Sequence, residues 1–112
     1  MDRLDRNVAK SRTPNGANTN IRRLKLSFMG EVQGVGFRWT AQRVARDVGT
    51  TGWVKNEYDG SVSMELQGTD AQIAAFFGGF NHAYSRWPID YVIADKDEID
   101  VVKGENEFRV RF

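Results

Sequence analysis

Cysteine is absent from the 112 residues. Disulfides, thiolate nucleophiles and cysteine-based zinc sites are therefore excluded, and stability has to come from a packed core, as suits a reducing compartment. There is one histidine, His82, too few for a multi-histidine metal site within one chain. A surplus of either charge sign is missing too. Lys and Arg number 16 against 15 Asp and Glu, a formal net charge of +1. So even a balance exerts no general pull toward nucleic acid or an anionic membrane, and any anion site must be local. No run approaches the roughly 20 apolar residues that span a bilayer. The charged start, Met1-Asp2-Arg3-Leu4-Asp5-Arg6, lacks the apolar stretch of a secretory leader. A cytoplasmic protein without nucleic-acid or membrane partners is expected.

What is present fits one domain. The hydrophobic fraction is 40%, with 12% aromatics, enough for a compact core. Residues 1–20 are polar, show no strand or helix period and carry the turn-prone Thr13-Pro14-Asn15-Gly16. They are expected to form a flexible extension ahead of a domain over 21–112. Leu24, Leu26 and Phe28 alternate with Arg23, Lys25 and Ser27, the period of a half-buried strand with its polar face outward. Phe37, Ala41, Val44, Ala45 and Val48 recur at helical spacing, and Gly49 is placed to stop that helix. Residues 51–56 read as a second strand. Asp59-Gly60 signals a hairpin into a third strand at 61–66. Thr69 or Asp70 can cap a second helix with Ile73, Phe76, Phe77 and Phe80 inward, although Gly78-Gly79 weakens its last turn. Residues 89–93 read as a strand, 95–107 as an acidic loop and 108–112 as the final strand. Trp39, Trp53 and the phenylalanines are core candidates. Trp87 could line an apolar pocket. The order, βαββαβ, indicates an α+β protein of ferredoxin-like design, one antiparallel sheet with two helices on one face.

Chemistry concentrates between the first strand and the first helix. Gly30, Gly34 and Gly36 permit positive φ and close backbone approach, so that several N–H groups can point inward at an anion. The helix behind adds unpaired N–H groups and about half a positive charge. Glycine-rich turns also arise for steric reasons alone. Arg38 then stands in the first helical turn, where the dipole disfavours a cation. Either a bound phosphate or a neighbouring carboxylate would compensate it. A strand–helix–strand crossover returns the second strand parallel to the first, which brings Asn56 to the same sheet edge. With the third strand between them, the gap is roughly 9–10 Å, enough for a phosphate and a water. Asn56 could equally just begin the hairpin. His82 is expected at the surface, and Glu31 is the one carboxylate within the loop.

These residues carry a family resemblance. Gly30-Glu31-Val32-Gln33-Gly34-Val35-Gly36-Phe37-Arg38 closely resembles the acylphosphatase signature, and Gly52-Trp53-Val54-Lys55-Asn56 with Asp59-Gly60-Ser61-Val62 resembles its second block, in the same order and spacing. The similarity runs from about Leu24 to Leu66 and returns at 108–112. The resemblance implies an acylphosphatase-like domain over 21–112 that cleaves the carboxyl–phosphate bond of acyl phosphates. It matches Arg38 to the catalytic, phosphate-binding arginine and Asn56 to the water-orienting asparagine. The backbone N–H groups of Gly34, Val35, Gly36, Phe37 and Arg38 match the phosphate cradle. It implies a small-molecule acyl phosphate substrate, no metal, no cofactor and a monomer. A non-catalytic phosphate-binding regulatory domain of the same fold is the alternative. An RNA-binding module is disfavoured because strand 61–66 carries no aromatic to stack a base.

Overall fold

A computed structural model describes residues 20–34, 36–85 and 91–112. The expected extension over 1–20 thus lies almost wholly outside the described residues. The elements are β1 (Ile21–Gly30), α1 (Phe37–Val48), β2 (Thr51–Asn56), β3 (Val62–Thr69), α2 (Asp70–Ala83), β4 (Tyr91–Ile99) and β5 (Phe108–Arg111). They form one five-stranded sheet in the order β4-β1-β3-β2-β5. The neighbours β4–β1, β1–β3 and β3–β2 are antiparallel, while β5 joins β2 in parallel and makes the sheet mixed. The ferredoxin-like α+β expectation holds, with β1 and β3 interior, but the expected wholly antiparallel sheet is corrected: the chain crosses from the β4 edge to the opposite edge before β5, which therefore runs parallel to β2.

Alternation on the strands builds the core. Leu24, Leu26 and Phe28 of β1 and Val62, Met64 and Leu66 of β3 are buried, together with Phe37, Ala41 and Val44 of α1 and Ile73, Phe76 and Phe80 of α2. Both helices therefore cover the same sheet face. Helix α1 ends where expected: Gly49 adopts φ 86° and its N–H donates to the Ala45 carbonyl. Helix α2 starts with a capping box, in which the Thr69 hydroxyl accepts from the Gln72 N–H and the Gln72 side chain accepts from the Thr69 N–H. The glycine pair does not end α2, which runs on to Ala83. Gly79 instead lets the helices close in, since a Cβ there would lie 2.9 Å from Val44 Cγ1.

Two expectations are corrected on the far side of the sheet. The strand expected at 89–93 begins, within the described residues, at Tyr91 and continues to Ile99, so that 95–99 is strand and not loop. Tyr91 anchors the described part of the strand, its ring packing on Phe28, Phe37 and Phe80. Beyond a bulge opposite Ser27/Phe28, pairing with β1 sustains the strand as an exposed edge, which needs no apolar alternation. The second correction is Arg23. It belongs to the polar face of β1, yet only 2% of it is exposed. Since β4 and β5 lie on opposite edges, the connection 100–107 crosses that face and covers Arg23. The guanidinium is met there by Glu65 at 2.8 Å, Glu105 at 2.7 Å and Gln67 at 3.0 Å. Burial works against its charge, but the hydrogen bonds and attraction of Glu105 and Glu65 outweigh this and raise its pKa. Gln67 also exchanges two 2.9 Å hydrogen bonds with the Val102 backbone, much as a paired strand would.

Candidate functional site

The glycine-rich loop is shaped by one buried residue and two left-handed ones. Val32 is fully buried, and its N–H donates to the Gly30 carbonyl at 3.0 Å, turning the chain as it leaves β1. Gly34 and Gly36 adopt φ 79° and 73°. A Cβ at either would meet nothing within 4 Å, so backbone conformation, not crowding, calls for glycine. Gly36 is the N-cap of α1. Among the described residues no side chain caps this end, and its first turn holds no acidic residue. The first N–H groups of α1 are thereby left for a ligand.

Register brings the second half alongside. Phe28 of β1 and Asn56 of β2 both pair with Val62, on opposite sides of β3. Asn56 therefore stands level with the end of β1, two strands away. Between the halves lies a cavity of about 260 Å³, bounded by Val32, Gly34, Gly36, Phe37 and Arg38 on one side and Asn56 on the other. Asn56 Oδ1 is buried and accepts no hydrogen bond from the protein among the described residues. A buried acceptor without a partner costs about 1–3 kcal/mol, so this oxygen is poised to take a hydrogen bond from a bound molecule.

Arg38 is half-buried. Of the two compensations open to it, a carboxylate is not used: it forms no ion pair among the described residues. One guanidinium nitrogen donates to the Arg111 carbonyl at 3.3 Å, and the group lies 4.8 Å above the Phe112 ring. Glu31 and His82 are exposed, and His82 lies in the last turn of α2. Val35 and Trp87 lie outside the described residues. Trp39 and Phe112 depart from the core expectation, being 57% and 84% exposed. Trp53 is half-buried, under the Arg111 guanidinium.

Gln33 was not singled out by its sequence position. Its amide nitrogen donates to the carbonyls of Glu57 at 2.8 Å and Ser61 at 2.9 Å, both in the hairpin after Asn56. Its place inside the motif was the only hint. A larger cleft of about 640 Å³ lies beneath the crossing loop. Lys103, Arg109 and Arg111 border it together with the carboxylates Glu105 and Glu107, and Arg109 and Arg111 are engaged by Glu107 and the Trp53 ring, whereas no carboxylate among the described residues lines the smaller cavity.

Fold and cavity together define a ferredoxin-like α+β protein whose first strand-to-helix turn offers an oxyanion helix N–H groups and a guanidinium that has no carboxylate partner among the described residues. Comparison with known proteins agrees. The acylphosphatase family model matches residues 24–110. An acylphosphatase of Oceanobacillus iheyensis is 48% identical over 56 residues, which cover 50% of this chain and 62% of that relative. That match thus spans less than two thirds of the relative's length. An acylphosphatase of Salinibacter ruber is 36% identical over 91 residues, 80% of this chain and 93% of the relative. The crystal structure of acylphosphatase from Bacillus subtilis shares 26% identity with a TM-score of 0.64, covering 81% of this chain and 99% of that one. The chain belongs to the acylphosphatase family.

Proposed function

We propose that this protein hydrolyses acyl phosphates to a carboxylate and inorganic phosphate, acting as a cytoplasmic monomer without metal or organic cofactor. The observation that carries the reading is the convergence of Gly34, Gly36, Arg38 and Asn56 on one small cavity, with the Asn56 acceptor unpartnered among the described residues. The phosphoryl oxygens bind the N–H groups of residues 34–38 and the Arg38 fork. These contacts tighten as charge shifts during transfer, a reaction that depends mainly on positioning and charge stabilisation. Asn56 Oδ1 accepts a hydrogen bond from the attacking water and holds it toward phosphorus. The new O–P bond forms as the bridging O–P bond breaks, and the carboxylate leaves with the electron pair. An amide is a poor base, so the proton of the water passes to a phosphoryl oxygen of the substrate.

Phosphate release from acetyl and benzoyl phosphate, set beside ordinary phosphate esters, tests the reading. Hydrolysis of the acyl phosphates is expected, and activity on esters alone would overturn it. Asn56→Ala is expected to cut turnover by about a hundredfold, with inhibition by inorganic phosphate largely kept. Loss of phosphate inhibition in that variant would remove the water-holding role.

A further inference from the structure

An acyl phosphate has a second half, and one residue lining the cavity beside Arg38 is placed to meet it. The cavity volume of about 260 Å³ leaves room beyond a phosphoryl group and a water. With the phosphoryl group on the glycine-rich loop and Arg38, the acyl group extends along the remaining wall of the cavity. Trp39 stands there. It lines the cavity and is nevertheless 57% exposed. The indole is followed by a second exposed ring, Phe112, with centroids 6.4 Å apart and planes inclined by 55°. Phe112 in turn lies against the Arg38 guanidinium, 4.8 Å from its ring centre. Two large rings so open to solvent beside a polar cavity lose the benefit of burial, unless something apolar covers them.

We propose that Trp39 and Phe112 form the acyl-group wall of the site and give it a preference for aryl and other bulky apolar acyl phosphates over acetyl phosphate. The inference rests on the acyl phosphate reading above. A flat acyl group packs on the indole in an offset or edge-on arrangement, while an acetyl group reaches little of either ring. Trp39 is the specificity-determining residue. Phe112 extends the wall and backs the guanidinium.

The test is the ratio of kcat/KM for benzoyl phosphate to that for acetyl phosphate. Trp39→Ala should lower this ratio about tenfold, the effect of one good aromatic contact. Trp39→Phe should restore most of it. Tyr58→Ala, which removes a fully exposed ring at the hairpin tip, should leave the ratio where it was. An equal loss on both substrates in Trp39→Ala, or no loss on either, overturns the proposal. Binding of phenacylphosphonate and acetonylphosphonate, in which a methylene replaces the bridging oxygen, provides a readout independent of turnover. Tighter binding of the phenacyl compound, lost in Trp39→Ala, supports the wall even if no acyl phosphate is hydrolysed, an outcome that would sink the hydrolase reading alone. Equal affinity for the two phosphonates in the unaltered protein overturns the wall by itself.

Discussion

The side-chain amide of Gln33 donates to the carbonyl oxygen of Glu57 at 2.8 Å, and the same nitrogen reaches Ser61 at 2.9 Å. One residue thus fastens the glycine-rich loop to the hairpin that follows Asn56. Gln33→Ala is expected to cost about 1–2 kcal/mol in urea denaturation, as two ordinary hydrogen bonds would. Gln33→Glu should be worse, because an ionised carboxylate can only accept and would face two carbonyl oxygens. A Gln33→Glu protein as stable as the parent would show that the bridge is not made.

Gly52 has φ 135°, and a Cβ built on it would fall 1.8 Å from the Glu65 carbonyl oxygen. That contact is with backbone and cannot be relieved by a side-chain rotation. Gly52→Ala should therefore lose more than about 2 kcal/mol, seen as a lowered urea midpoint with little change in slope. An unchanged midpoint would contradict the close approach of β2 to β3 at this point.

Arg23 sits between two carboxylates that are themselves only 19% exposed, Glu65 and Glu105. Its removal strands both. Arg23→Ala is expected to cost about 3 kcal/mol or more. Arg23→Lys should recover part of this, since a single ammonium keeps charge but not the fork. A loss below about 1 kcal/mol in Arg23→Ala would mean that the crossing loop is held by other contacts.

The Asp59 carboxyl is held below its ordinary range, first by the Ser61 hydroxyl at 2.6 Å and then by the Ser61 N–H at 2.9 Å. Because the folded pKa is depressed, its contribution is present above the unfolded value of roughly 3.9. It is lost as pH falls through the lower folded value. Asp59→Ala should thus destabilise the protein at neutral pH, by an amount that shrinks toward about pH 3. Urea denaturation of both proteins at the two pH values checks this, and an undiminished difference in acid would contradict it.

Local pattern made much of this legible. The alternation of β1, the helical spacing from Phe37 to Val48, the Thr69 cap and the Asp59-Gly60 turn are each set by residues close in sequence. Arg38 and Asn56 could be paired from sequence because a crossover connection and a central β3 dictate their common edge. Arg23 could not be read, since its partner Glu105 lies 82 positions away and its burial depends on a loop crossing the sheet. Trp39 was misread because aromatic residues default to the core, and only the surrounding surface shows that this ring has no core to enter. The length of β4 escaped because an exposed edge strand is supported by its neighbour's backbone and carries little hydrophobic signal of its own.

The claim that most depends on this geometry is that Arg38 holds the phosphoryl group. Steady-state release of phosphate from acetyl phosphate measures it directly, with inorganic phosphate as inhibitor. Arg38→Ala should lose about a hundredfold or more in kcat/KM together with phosphate inhibition, and Arg38→Lys should recover only part, because an ammonium cannot reproduce the fork. Near-normal hydrolysis by Arg38→Ala would contradict the proposed mechanism.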